Sequence, residues 1–136
     1  MMNSSESQVN SESWPPAWLR TVRPTAVLAV LSEGALHGYG IVLALDARGL
    51  GRPLGGSLYP LLGTLETEGA VEAVWNEGES GPGRRVYTLT PLGRQRLESE
   101  RAAWHSIAAA LGPEGPQEHG AEARRPDATP AEEGKL

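Results

Sequence analysis

Apolar side chains recur along this chain in helical blocks, with one short stretch where the period changes to two. Leu19, Val22, Val27, Leu28, Val30 and Leu31 mark the first block. Their spacing predicts a helix over 17–32, entered through Pro15 and Pro16 and irregular near Pro24. Tyr39, Val42 and Leu45 follow at i, i+3 and i+6, which predicts a second helix over 38–48 with these three residues toward a core. Leu58, Leu61, Leu62 and Leu65 fall at i, i+3, i+4 and i+7 and predict a third helix over 57–68. Pro60 suits only the first turn of a helix, which places the start near Ser57, and Gly69 lies just beyond the end.

The period then shortens. Val71, Ala73 and Trp75 share one side of a half-buried strand over 70–76, and residues 77–83 (EGESGPG) suit only a turn or loop. RRVYTL over 84–89 is the return strand. Thr90 and Pro91 supply an N-cap and a first-turn proline for a last helix over 91–111. Leu97, Trp104 and Leu111 recur every seven residues along it, with Ile107 and Ala108 between, a seam for another helix. A second copy of the chain is the simplest partner. Three helices, a hairpin and a long helix make a mainly α fold with a small β-wing: a winged helix-turn-helix domain over 14–90 and a dimerisation helix over 91–111.

Composition narrows this picture at the ends. Residues 1–13 are polar, and residues 112–136 are rich in Pro, Gly, Glu and Ala. Neither segment carries the apolar area that offsets the entropy of ordering, so both are expected to be disordered tails. The formal charge of −5 argues at first against a nucleic-acid partner. Between Arg20 and Leu111, however, nine arginines balance nine acidic residues, so the excess acid belongs to the tails. With no cysteine, disulfides and thiolate metal sites are excluded. The N-terminus has neither a basic start nor an apolar run, and Thr25–Leu31 is too short to span a bilayer. A cytoplasmic protein without a membrane partner is expected.

The candidate chemistry is that of binding. The outward face of the third helix offers Ser57, Tyr59, Gly63, Thr64 and Thr67, which suit phosphates and equally suit a plain solvated surface. Neither Arg nor Lys, the usual readers of guanine, stands there. The wing carries Gly81-Pro82-Gly83 followed by Arg84 and Arg85, two cations where a winged helix meets the DNA backbone or minor groove. His37 reads as a turn histidine at a helix start, since no nucleophile, carboxylate or metal-ligand set gathers around it. GLGRPLGG at 49–56 lacks the preceding strand of a dinucleotide site. No catalytic residue, metal ligand or cofactor site is expected, and the protein reads as no enzyme. Trp104 is either an anchor in the dimer seam or a stacking surface for a planar ligand between subunits. The first helix (Thr25, Leu28) would partly wall that cavity, and Trp18 suits either role.

EGALHGYGIVLAL, GGSLYPLLGTLETEGAVEAVW and GPGRRVYTLTPLGRQRL together resemble the PadR family of bacterial transcriptional regulators over roughly 17–111. The pieces that carry the likeness are the HGY at the second helix, the SLYP and LE of the third, and the wing's R..Y.LT. The resemblance implies a homodimeric winged-helix repressor on a palindromic double-stranded operator. It also implies a short subgroup in which the single C-terminal helix dimerises, and in which some members sense planar aromatic molecules beside a tryptophan where Trp104 stands. By the same resemblance, Tyr39, Ser57, Tyr59, Pro60, Gly83, Arg84 and Arg85 are DNA-contact positions, with Thr64 beside them on the recognition helix. Members often carry basic residues where this chain has Gly63 and Thr64, and an arginine where it has Thr88. The rival readings are a winged-helix module for protein–protein contact and a drug-binding protein that does not read DNA sequence.

Overall fold

The structure is a computed structural model that describes residues 14–77 and 83–115. The expectations for residues 1–13, for the wing tip at 78–82 and for 116–136 lie outside the described residues. Five helices and strands precede the wing's return strand: α1 (Pro16–Leu31), β1 (Leu36–His37), α2 (Gly38–Ala47), α3 (Gly55–Thr67) and β2 (Val71–Asn76). β3 (Arg84–Leu89) and α4 (Pro91–Ala110) complete the order. This is the winged-helix arrangement. Two compact units divide it, one through Glu98 and one from Ser99, so the first two turns of α4 belong to the first unit.

The helices form where the apolar spacing places them, with two differences at prolines. α1 runs without a break through Pro24, although an irregularity is expected there. The proline removes the donor for the carbonyl of Arg20, and Arg20 is exposed to water, which limits the cost. α3 begins at Gly55 with Leu54 as its N-cap, two residues before the expected start. Pro60 therefore stands in the second turn. It strips the carbonyl of Gly56 of its donor, but Gly56 is exposed, so water can serve that carbonyl. At the other end Gly69 takes φ 81°, and Ala70 N donates to Leu65 O at 2.9 Å, a left-handed reversal that turns the chain directly into β2.

The core is assembled from α1 (Val27, Leu28, Val30, Leu31), α2 (Ile41, Leu45), α3 (Leu58, Leu62, Leu65) and the sheet (Val71, Tyr87, Leu89). Three sequence expectations are corrected by it. Ile41, not Tyr39, points inward beside Leu45, and Tyr39 is 57% exposed. Leu97 is buried in this same core at 1% exposure, so it has no surface to give to a helix of another chain. Leu28, expected to wall a ligand cavity, is likewise fully buried.

The sheet is antiparallel in the order β1-β3-β2. The hairpin pairs Val71 with Leu89 through to Asn76 with Arg84. Only the first half of β2 alternates: Val71 is buried and Ala73 half-buried, but Trp75 is 60% exposed because the strand has run past the core. β1 has no counterpart in the sequence expectations. Its two residues add to the free edge of β3, with Leu36 opposite Tyr87 and His37 opposite Val86.

Candidate nucleic-acid interface

β1 explains why the candidate residues meet. Pairing with β3 brings the start of α2 against the root of the wing. An open cleft of about 450 Å³ forms there, lined by His37, Gly38, Tyr39, Tyr59, Trp75, Gly83, Arg84, Arg85 and Tyr87. Five of the expected DNA-contact residues (Tyr39, Tyr59, Gly83, Arg84, Arg85) thus share one concave surface. Ser57, Pro60 and Thr64 do not line it. They lie exposed along α3, where the Ser57 hydroxyl bonds back to Leu54 O (3.2 Å) and that of Thr64 to Pro60 O (3.1 Å).

Two glycines make the cleft possible by lacking a Cβ. A methyl at Gly38 would overlap the hydroxyl of Tyr59, and one at Gly83 would sit 2.6 Å from Trp75 Nε1. The tyrosine and tryptophan rings therefore lie directly on backbone. His37, read as a helix-start residue, is the N-cap of α2, with Gly40 N 3.3 Å from its Nδ1. It also does something its sequence position did not suggest: Arg84 Nη1 lies 2.9 Å from its Nε2. A guanidinium only donates, and a neutral imidazole accepts at one nitrogen, so each tautomer satisfies one of these two contacts.

The second wing arginine is held differently. Arg85 Nη2 donates to both carboxylate oxygens of Glu66 on α3, at 2.9 and 3.0 Å, and its guanidinium carbon lies 5.8 Å from the centroid of the Tyr87 ring. Hydrogen bonding to Tyr87, then to Glu66, and the charge of Glu66 raise the pKa of this guanidinium. Arg52, in the turn before α3, is similar. Asp46 accepts from its Nε at 3.0 Å, and that hydrogen bond, the Asp46 charge and Tyr39 raise its pKa. Arg84 meets an imidazole; Arg85 and Arg52 meet carboxylates.

A family model described as the transcriptional regulator PadR-like family matches residues 27–99, from the core of α1 through the wing to α4. The chain belongs to this family. Among solved structures similar to this PadR-like chain is a PadR family transcriptional regulator from Eggerthella lenta, 31% identical, with a TM-score of 0.61 over 71% of this chain and 80% of that one. Another is PadR of Bacillus subtilis in complex with operator DNA, 28% identical, with a TM-score of 0.52 over 57% of this chain and 46% of that one. A curated relative, an uncharacterised 37.1 kDa protein in transposon TN4556 of Streptomyces fradiae, is 41% identical over 83 residues. Those residues are 60% of this chain but 22% of that protein, so the match covers about a fifth of the relative's length. The cleft lies inside the region matched by the family model. Among the described residues of this PadR-like domain, no helix is long and apolar enough to cross a membrane.

Proposed function

We propose that this chain is a cytoplasmic, homodimeric transcriptional repressor that binds a palindromic double-stranded operator and is released by a small planar aromatic effector. The observation that carries the DNA-binding part is the cleft: two wing arginines, three tyrosines and a histidine line it where β1 joins the wing to α2. Cations beside hydroxyl donors suit phosphate oxygens, and α3 with exposed Ser57, Pro60 and Thr64 is the element that would enter the major groove. The Bacillus subtilis neighbour with operator DNA supports the same reading. Fluorescence anisotropy of a labelled duplex carrying the chain's own promoter tests it, against an unrelated duplex and across a salt series. The reading requires tighter binding to the promoter duplex, with affinity falling as salt rises. Equal, salt-independent signals on both duplexes would refute it.

Dimerisation is assigned to the second unit. Ile107 is 48% exposed and Leu111 81% exposed there, with Ala108 exposed between them, an apolar row suited to an identical helix. Replacing Ile107 with glutamate would place a charge in that row. The dimer dissociation constant is expected to rise about tenfold or more, measured by sedimentation equilibrium. An unchanged constant would remove this helix from the interface. Trp104, Trp18 and Thr25 are the effector candidates; Leu28, a core residue, is not.

A further inference from the structure

Each wing arginine has a partner, and the two partners differ in a way that matters for an incoming polyanion. The chain supplies Arg85 with an anion of its own, the carboxylate of Glu66 on the last turn of α3, bound through both oxygens by one guanidinium nitrogen. Arg84 lies against an imidazole instead, its Nη1 2.9 Å from His37 Nε2. We propose that Glu66 is a resident competitor for DNA phosphate: it occupies the wing cation Arg85 and lowers the chain's affinity for every duplex, whatever its sequence. This inference rests on the DNA-binding reading above.

The argument is one of donor geometry and like charges. The side chains of Arg85 and Glu66 are about half and about two-fifths exposed (47% and 38%), so the pair sits where a phosphate reaches it. A phosphate oxygen taking the same Nη2 donor must displace the carboxylate. A phosphate taking the remaining N–H groups would instead lie within a few ångströms of a retained carboxylate and be repelled by it. Both routes lower affinity. Exposed pairs of this kind are closed most of the time but not always, so removing the competitor corresponds to a gain of about two- to sixfold. The contact serves phosphate and not base edges, so the gain is the same for specific and unrelated DNA.

The test is a mutant cycle on the full chain: wild type, Glu66→Gln, Arg85→Ala and the double variant, titrated by anisotropy onto the promoter duplex and an unrelated duplex across a salt series. Glu66→Gln is expected to bind both duplexes about two- to sixfold more tightly. Its log–log salt slope should be steeper by about one phosphate contact per chain. In the Arg85→Ala background the same change should produce no gain. Glu66→Asp, which draws the carboxylate back by one methylene, should give a smaller gain and guards against loss of fold in the glutamine variant. An equal gain without Arg85 would overturn the proposal, as general charge removal would then suffice. A loss confined to the promoter duplex would overturn it too, since Glu66 would then be reading a cytosine amino group. Wild-type binding with no gain in Glu66→Gln sinks this proposal alone. No binding by any variant sinks the DNA-binding reading and this proposal with it.

Discussion

Replacing Arg84 with alanine is expected to weaken binding to the promoter duplex by about ten- to a hundredfold, the loss of a charge-assisted phosphate contact from each chain of the proposed dimer. The log–log salt slope should fall by about one per chain, and the loss should be nearly equal on unrelated DNA. Arg84 leads this ranking because of what holds it. The imidazole of His37 orients its guanidinium without neutralising it, whereas Arg85 spends its Nη2 donor on Glu66. Arg85→Ala should therefore weaken binding less than Arg84→Ala. Anisotropy titrations decide this, and an Arg84→Ala protein with wild-type affinity and slope would remove the wing from the interface.

The largest effect on stability is expected at Gly93. Thr90 caps α4, its hydroxyl accepting from Gly93 N at 2.9 Å and sharing its proton between the carbonyls of Gly69 (2.6 Å) and Ala70 (3.0 Å). That arrangement brings Gly93 directly onto the chain between α3 and β2. A methyl there would overlap the carbonyl oxygen of Ala70 and lie 2.8 Å from Leu89 Cδ1. The neighbour is backbone, already tied to Thr90 N at 3.1 Å, and has little room to yield. Gly93→Ala is expected to cost about 1–3 kcal/mol. For a domain of this size that lowers the melting temperature by about 5–20 °C. Thermal unfolding followed by circular dichroism measures it, and an unshifted transition would show that the turn is free to move.

The winged-helix layout was legible because its elements follow local periods: Leu58, Leu62 and Leu65 are buried as their spacing demands. The wing arginines were legible too, standing beside a turn-rich segment. What the period could not report was where an element outruns its core. Trp75 continues the alternation of Val71 and Ala73 yet lies in the open cleft, since nothing of the core extends beneath it. Tyr39 fails for the opposite reason: at the first turn of α2, inward direction depends on how β1 delivers the chain, and Ile41 takes the inner place. Leu97 carried a heptad signal, but a residue that repeats every seven positions serves an internal core as readily as a partner helix. The pairs that shape the cleft, Arg84 with His37 and Arg85 with Glu66, join residues remote in sequence, where no local pattern reaches.

Two paired residues at β1 also bear on the order in which this domain comes together. Leu36 meets Tyr87 across roughly fifty intervening residues, the kind of contact that a folding chain closes late. Helices α1 to α3 and the local hairpin would be in place before it, so interactions at β1 belong to the downhill side of the folding barrier. Weakening them would speed unfolding while leaving the folding rate nearly untouched. The cleft exists only once that edge has closed. The surface that would meet DNA then depends on a pairing between segments remote in sequence.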